Sequence, residues 1–149
     1  MTTFAISRDV ARAIEWDCAR TLTRFFNWFD QWRYDGMVAL FAPDGVWHRQ
    51  GKALRGQAIK DALDVRSRTQ TVRHVITNTQ VDVVDAATAE FILYVTAYVH
   101  DSGVKAVTPP KIQSPSLLLV VPGGMVKVGD DWKIAHMSMN REFEFGPAG

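Results

Sequence analysis

Thr71-Val72-Arg73-His74-Val75-Ile76-Thr77-Asn78-Thr79-Gln80-Val81-Asp82-Val83-Val84 is the stretch at which the chain changes period. Upstream of it apolar residues recur at helical spacing. From Thr71 onward β-branched and aromatic residues dominate and the pattern is extended. A second long run, Thr88 to His100, follows across Asp85-Ala86-Ala87, so the two are expected to pair as an antiparallel hairpin. Ser116 to Val128 and Trp132 to Asn140 form another such pair around Gly129-Asp130-Asp131. Pro122-Gly123-Gly124 interrupts the first of these, and a proline removes a ladder donor, so a bulge or an edge is expected there. Asp101 to Pro115, with Pro109, Pro110 and Pro115, reads as a mobile connector or lid.

Working back from Thr71, Ser7 can cap a helix whose apolar positions Val10, Ile14, Cys18, Leu22, Phe25 or Phe26, and Phe29 follow helical spacing, with Asp9 suited to the helix dipole. The pattern predicts a stop at Tyr34-Asp35-Gly36, a short second helix through Met37, Val38, Leu40 and Phe41, and a turn at Pro43-Asp44-Gly45. A strand over Val46 to Gln50 and a third helix after Gly56, through Ile59, Ala62 and Leu63, complete this half. Helices followed by antiparallel strands make an α+β fold, with helices packed on one face of a curved sheet. Long strands coil such a sheet, and helices across its open side enclose a conical cavity suited to a small apolar ligand.

The chain has 149 residues, which fits one domain spanning 1–149, able to bury about 70% of its unfolded surface. Its 17 Lys plus Arg nearly cancel 16 Asp plus Glu, and no block of like charge occurs. Neither a nucleic acid nor a membrane is therefore expected as partner, since both favour a concentrated basic face. Cys18 is the only cysteine, so no internal disulfide can form and a reducing compartment is inferred. Glu15-Trp16-Asp17-Cys18 offers no histidine or cation to activate the thiol, which reads as a small buried hydrophobe. Met1 to Glu15 lack the basic start and apolar run of a secretory signal, and no later stretch approaches a membrane span, so a cytoplasmic location is expected.

Asp30 and His74 are the candidate catalytic residues. Asp30 lies one helical turn after Phe26, beside Phe29 and on the border of the apolar stripe; its bland reading is a solvated helix carboxylate. His74 shares strand parity with Val72, Ile76 and Asn78. Both faces of that strand are mixed, so alternation leaves open which one points inward, and a lone strand histidine is more often structural. A carboxylate that orients an imidazole would make it a general base suited to neutral pH. Asp35 and Asp44 sit beside glycines, where turn formation explains them. His48, His74, His100 and His136 lack the close spacing of a zinc motif, so no metal is expected, and His136 reads as a hydrogen-bonded core residue.

Phe25-Phe26-Asn27-Trp28-Phe29-Asp30, Leu40-Phe41-Ala42-Pro43-Asp44-Gly45-Val46-Trp47, Gly56, Arg73-His74-Val75-Ile76-Thr77-Asn78 and Asp130-Asp131-Trp132-Lys133-Ile134, in that order, resemble the SnoaL-like branch of the NTF2-like superfamily over roughly residues 8–141. Within it the arrangement is similar to scytalone dehydratase, hexachlorocyclohexane dehydrochlorinase and bile acid 7-alpha-dehydratase. The resemblance puts Asp30 at the position of an aspartate that orients a histidine, and His74 at that of the histidine that removes a proton during an elimination. It allows His100 to match a second histidine of scytalone dehydratase, with a one-residue gap. Some relatives carry a polar or basic residue five positions before the aspartate, where this chain has Phe25. For the dehydrochlorinase's active-site arginine the candidates are Lys127 and Arg141.

The expected function is a lyase of the dehydratase type, or an isomerase, acting without a cofactor on a small apolar cyclic molecule, with His74 as base and Asp30 holding its ring. Protonation of His74 would then remove activity on the acid side. Phe25, Phe29 and Trp47 are expected to wall the ligand, although core packing is their default explanation. Tyr94, Tyr98 or His100 would donate a hydrogen bond to the leaving group or oxyanion, and Phe143 would fold over the cavity mouth. The alternatives are a non-catalytic ligand-binding or assembly module and a subunit of a larger oxygenase. A homodimer through the outer sheet face is expected, or a trimer.

Overall fold

The computed structural model describes residues 5–147. Helix α1 spans Arg8–Asp30 and buries Ile14, Cys18, Leu22, Phe25, Phe26 and Phe29 along one stripe, as its spacing requires. The Val10 amide donates to Ser7 Oγ at 3.3 Å, which caps the first turn. At the other end Arg33 N–H donates to Trp28 O at 2.9 Å and Trp32 N–H to Phe29 O at 3.3 Å, a Schellman closure. Trp32 takes the left-handed position of that motif, with φ 61°.

The stop therefore falls at Asp30 rather than at Gly36, which lies inside helix α2, Tyr34–Ala39. A Cβ on Gly36 would sit 2.8 Å from the Trp28 ring, so glycine is required there by helix packing. Strand β1, Phe41–Arg49, runs straight through Pro43-Asp44-Gly45. That segment is a bulge, not a turn: the register with its neighbour shifts between Phe41 and Val46. β1 returns as β2, Lys52–Leu54, through Gln50 and Gly51 at φ 51° and 75°, a two-residue hairpin loop with both central residues left-handed. Helix α3 follows over Gln57–Asp64 with Gly56 at its N-cap.

Strands β3 (Thr71–Val83), β4 (Thr88–His100), β5 (Leu117–Val128), β6 (Asp131–Ser138) and β7 (Asn140–Glu144) complete one sheet in the order β2-β1-β6-β5-β4-β3, with β7 on β5. Only β1 and β6 run parallel. The sheet is curled and unclosed, and α1 lies on its inner face against β3 and β6. Thr21 Oγ1 donates to Trp132 O at 3.0 Å across that contact.

β5 is interior, which corrects the edge reading of Pro122. The ladder to β7 ends at Val120 and that to β6 begins at Gly123, so Pro122 falls where the neighbouring strand changes. The register with β6 shifts at Gly124/Met125, but the bulge is in the partner strand rather than in β5. It adds a residue to β6 and reverses parity there: Met137 is buried while His136 turns to solvent, not into the core. Residues 101–116 form neither helix nor strand and are tied at their ends by Thr69 Oγ1 to Asp101 Oδ1 at 2.6 Å and Ser116 N–H to Ala97 O at 2.7 Å. Among the described residues no helix is long and apolar enough to cross a membrane.

Candidate functional site

Asp30 is the last residue of α1, and the Schellman closure turns the chain away immediately after it, leaving its carboxylate against β3. Asp30 Oδ2 accepts the backbone N–H of His74 at 2.9 Å, and Oδ1 lies 2.6 Å from His74 Nδ1. Both side chains are almost enclosed, at 8% and 7% exposed. An ionised carboxylate only accepts, so Nδ1 carries the proton and Nε2 keeps its lone pair. Phe26 and Phe29 meet the imidazole at ring-centroid distances of 5.4 and 4.7 Å, fixing its plane.

His74 lines a cavity of about 460 Å³ on the inner face of the sheet. Phe29, Val72, Ala97, Val99, Leu117 and Leu119 supply its apolar wall. Arg49, Arg66 and Arg141 supply cations. Asp30 stands behind the ring and opens instead on a second hollow lined by Arg68, Arg73 and Lys105. The arrangement suits proton abstraction: a lone pair at the wall of a partly apolar cavity, a fixed tautomer, and positive charge nearby for a developing anion.

Of the expected ligand-binding residues, Phe29 reaches the cavity. Phe25 and Trp47 do not line it; both are fully buried in an aromatic core, with their rings edge to face at 5.4 Å. The Trp47 indole N–H finds no acceptor there. Tyr94, Tyr98 and His100 are on the wrong face. The register pairs them with Thr77, Arg73 and Thr71, whereas His74 pairs with Ala97, so they alternate onto the outer side of the sheet. Phe143 belongs to β7 opposite Leu118, also on the outer side, and is 60% exposed rather than folded over the cavity.

Arg49 and Arg66 are the residues that reading the chain missed, while Arg141, one of its two candidates, does reach the cavity and Lys127 is exposed elsewhere. Arg49 was accessible to strand parity, being two residues beyond the inward Trp47. Arg66, just past α3, carried no local signal. Burial pushes the Cys18 thiol up to about 12, with Asp17 adding to the effect, which fits an inert core residue. Among the described residues no three His, Cys, Asp or Glu side chains gather as a metal-binding set.

Comparison with known proteins agrees with this architecture. A candidate scytalone dehydratase from Novosphingobium aromaticivorans superposes with a TM-score of 0.76 at 17% identity, over 95% of this chain and 94% of that one. A type 2 hexachlorocyclohexane dehydrochlorinase gives 0.72 at 15% identity, over 95% and 99%. ActVI-ORFA from Streptomyces coelicolor gives 0.69 at 17% identity, over 87% and 98%. At such identities these likenesses concern the fold alone. No match is found among curated protein sequences. The SnoaL-like domain profile, however, matches residues 12–138, most of the chain, and with the curled sheet and its helices it establishes that this protein belongs to the SnoaL-like family of the NTF2-like superfamily.

Proposed function

We propose that the protein is a cofactor-independent lyase of the dehydratase type, or an isomerase, in which His74 Nε2 removes a proton from a small cyclic substrate and Asp30 holds the ring and stabilises the imidazolium. The observation that carries this reading is the 2.6 Å contact between Asp30 Oδ1 and His74 Nδ1 at the wall of the 460 Å³ cavity. A general base contributes about a hundredfold to ten-thousandfold, and positioning with electrostatic stabilisation must supply the rest. Copies of the chain would associate through the outer sheet face, and the location would be cytoplasmic.

The test is proton exchange and elimination measured together. Cyclic ketones, β-hydroxy ketones and halogenated rings are incubated with protein in D₂O and followed by NMR for deuterium uptake, water or halide loss. Turnover by the wild-type chain should fall at least about a hundredfold in His74→Ala and Asp30→Asn. Equal rates in all three would remove the pair from the mechanism. A ligand that saturates the cavity and is returned unchanged would mark a binding module instead.

A further inference from the structure

Three arginines reach the cavity, but they are not equivalent. Arg141 Nη1 is bonded to Glu144 Oε1 at 2.7 Å. Among the described residues Arg49 and Arg66 have no carboxylate partner. Both are nevertheless held in place. The Arg66 guanidinium stacks 4.3 Å from the Phe29 ring centroid and 5.6 Å from that of Trp32. It also donates to Tyr34 Oη at 3.4 Å and to Gln70 Oε1. Arg49 stacks 5.2 Å from the Trp47 ring.

These partners are neutral, so they position the two cations without cancelling their charge. Burial first, and then the like charge of Arg66, push the Arg49 pKa down: the pair is close enough to repel. Asp61, in the groove on the far side of both arginines, is bonded to Gln57 Nε2 at 2.9 Å. Asp30 is committed to His74. Two fixed like charges at the wall of a cavity are costly unless a counter-charge arrives, and guanidinium groups match planar oxyanions with paired N–H donors. Phe29 links the two parts of the site, since it stacks on Arg66 and meets the His74 ring at 4.7 Å.

We propose that the substrate is an anion: an apolar ring compound whose carboxylate is held by Arg49 and Arg66, with its carbon skeleton against Val99 and Leu119 and its reacting C–H facing His74. The proposal takes the cavity to be where substrate binds, as in the reading above, and sharpens the substrate from a small cyclic molecule to an acid. It assigns Arg49 and Arg66 a recognition role separate from the base.

The probes are 2-naphthoate and its near-isosteric neutral partner 2-naphthamide, titrated calorimetrically into the intact chain. The wild-type protein should bind the carboxylate about tenfold more tightly or better, as expected for charge-assisted hydrogen bonds that the amide cannot match. Arg49→Gln and Arg66→Gln should each remove most of that preference, while Arg49→Lys and Arg66→Lys keep part of it and serve as folded controls. His74→Ala should retain the preference although turnover is lost, so the anion site and the general base succeed or fail separately. Equal affinity for the two probes, no binding of 2-naphthoate, or a preference that survives both glutamine variants would overturn the proposal.

Discussion

Asp30 serves two donors at once, the amide and the ring nitrogen of His74. In Asp30→Asn one of these N–H groups faces an amide NH₂ instead of an oxygen, so the backbone anchor and the ring tautomer cannot both survive. The expected outcome is a loss of about 1–3 kcal/mol in urea unfolding, in addition to the rate loss described above. Cys18 is a contrasting case. With its pKa at about 12, it stays a neutral thiol in the folded chain, so iodoacetamide should label it at pH 8 only after denaturation. The sign for stability follows: the unfolded thiol ionises from about pH 9 upward while the folded one does not, so stability attributable to this group is full below pH 9 and should decline between about 9 and 12 in thermal melts. At this scale spacing placed Asp30 on the border of the helical stripe and left the facing of His74 open; the family resemblance singled the two out, and their 2.6 Å contact is a product of the tertiary fold. The chain said nothing of Arg66, whose role depends on rings contributed by a distant helix.

The elements show where local rules gave way to packing. α1 ends at a Schellman motif with tryptophan in the left-handed position that glycine ordinarily takes, a conformation costing about 1–2 kcal/mol. Stacking by Arg66 and Arg68 on the Trp32 ring offsets it, at 5.6 and 4.8 Å. Reading the stop at Gly36 failed because that glycine answers to the Trp28 ring, not to a helix end. Gly36→Ala, which would gain about 1 kcal/mol in an open helix, should therefore destabilise the protein in urea titrations. Gly123 is a stronger case, since a Cβ there would lie 2.3 Å from His136 O and 2.4 Å from the Phe91 ring. Backbone cannot yield as a flexible side chain can, so Gly123→Ala should cost about 3 kcal/mol or prevent folding, read as lost soluble yield and a lower melting temperature.

Over the whole molecule, the curled sheet divides its residues between a concave side, closed by α1, and an outer side that carries Ile92, Tyr94 and Phe143 in exposed positions. Their apolar character supports association of copies through that side. Light scattering on the wild-type chain should give a dimer or trimer mass, and Ile92→Glu with Tyr94→Glu should shift it to monomer; a monomer at the outset would refute the association. The order of helices and strands was legible in the chain because hydrophobic periodicity is a local property, carried by stretches such as Ile14 to Phe29 and Thr88 to His100. The facing of β4 was not legible in the same way: Phe91, Leu93, Val95 and Ala97 form its inward row, but Ile92, Tyr94 and Tyr98 give the outward row apolar and aromatic residues as well. What tertiary structure alone decided was convergence. Bulges in β1, β3, β6 and β7 reset strand parity, which no alternation rule anticipates. The sheet's curl then brings Arg49, Arg66 and Arg141 to one hollow with His74, a meeting of residues far apart in the chain that short-range pattern cannot encode.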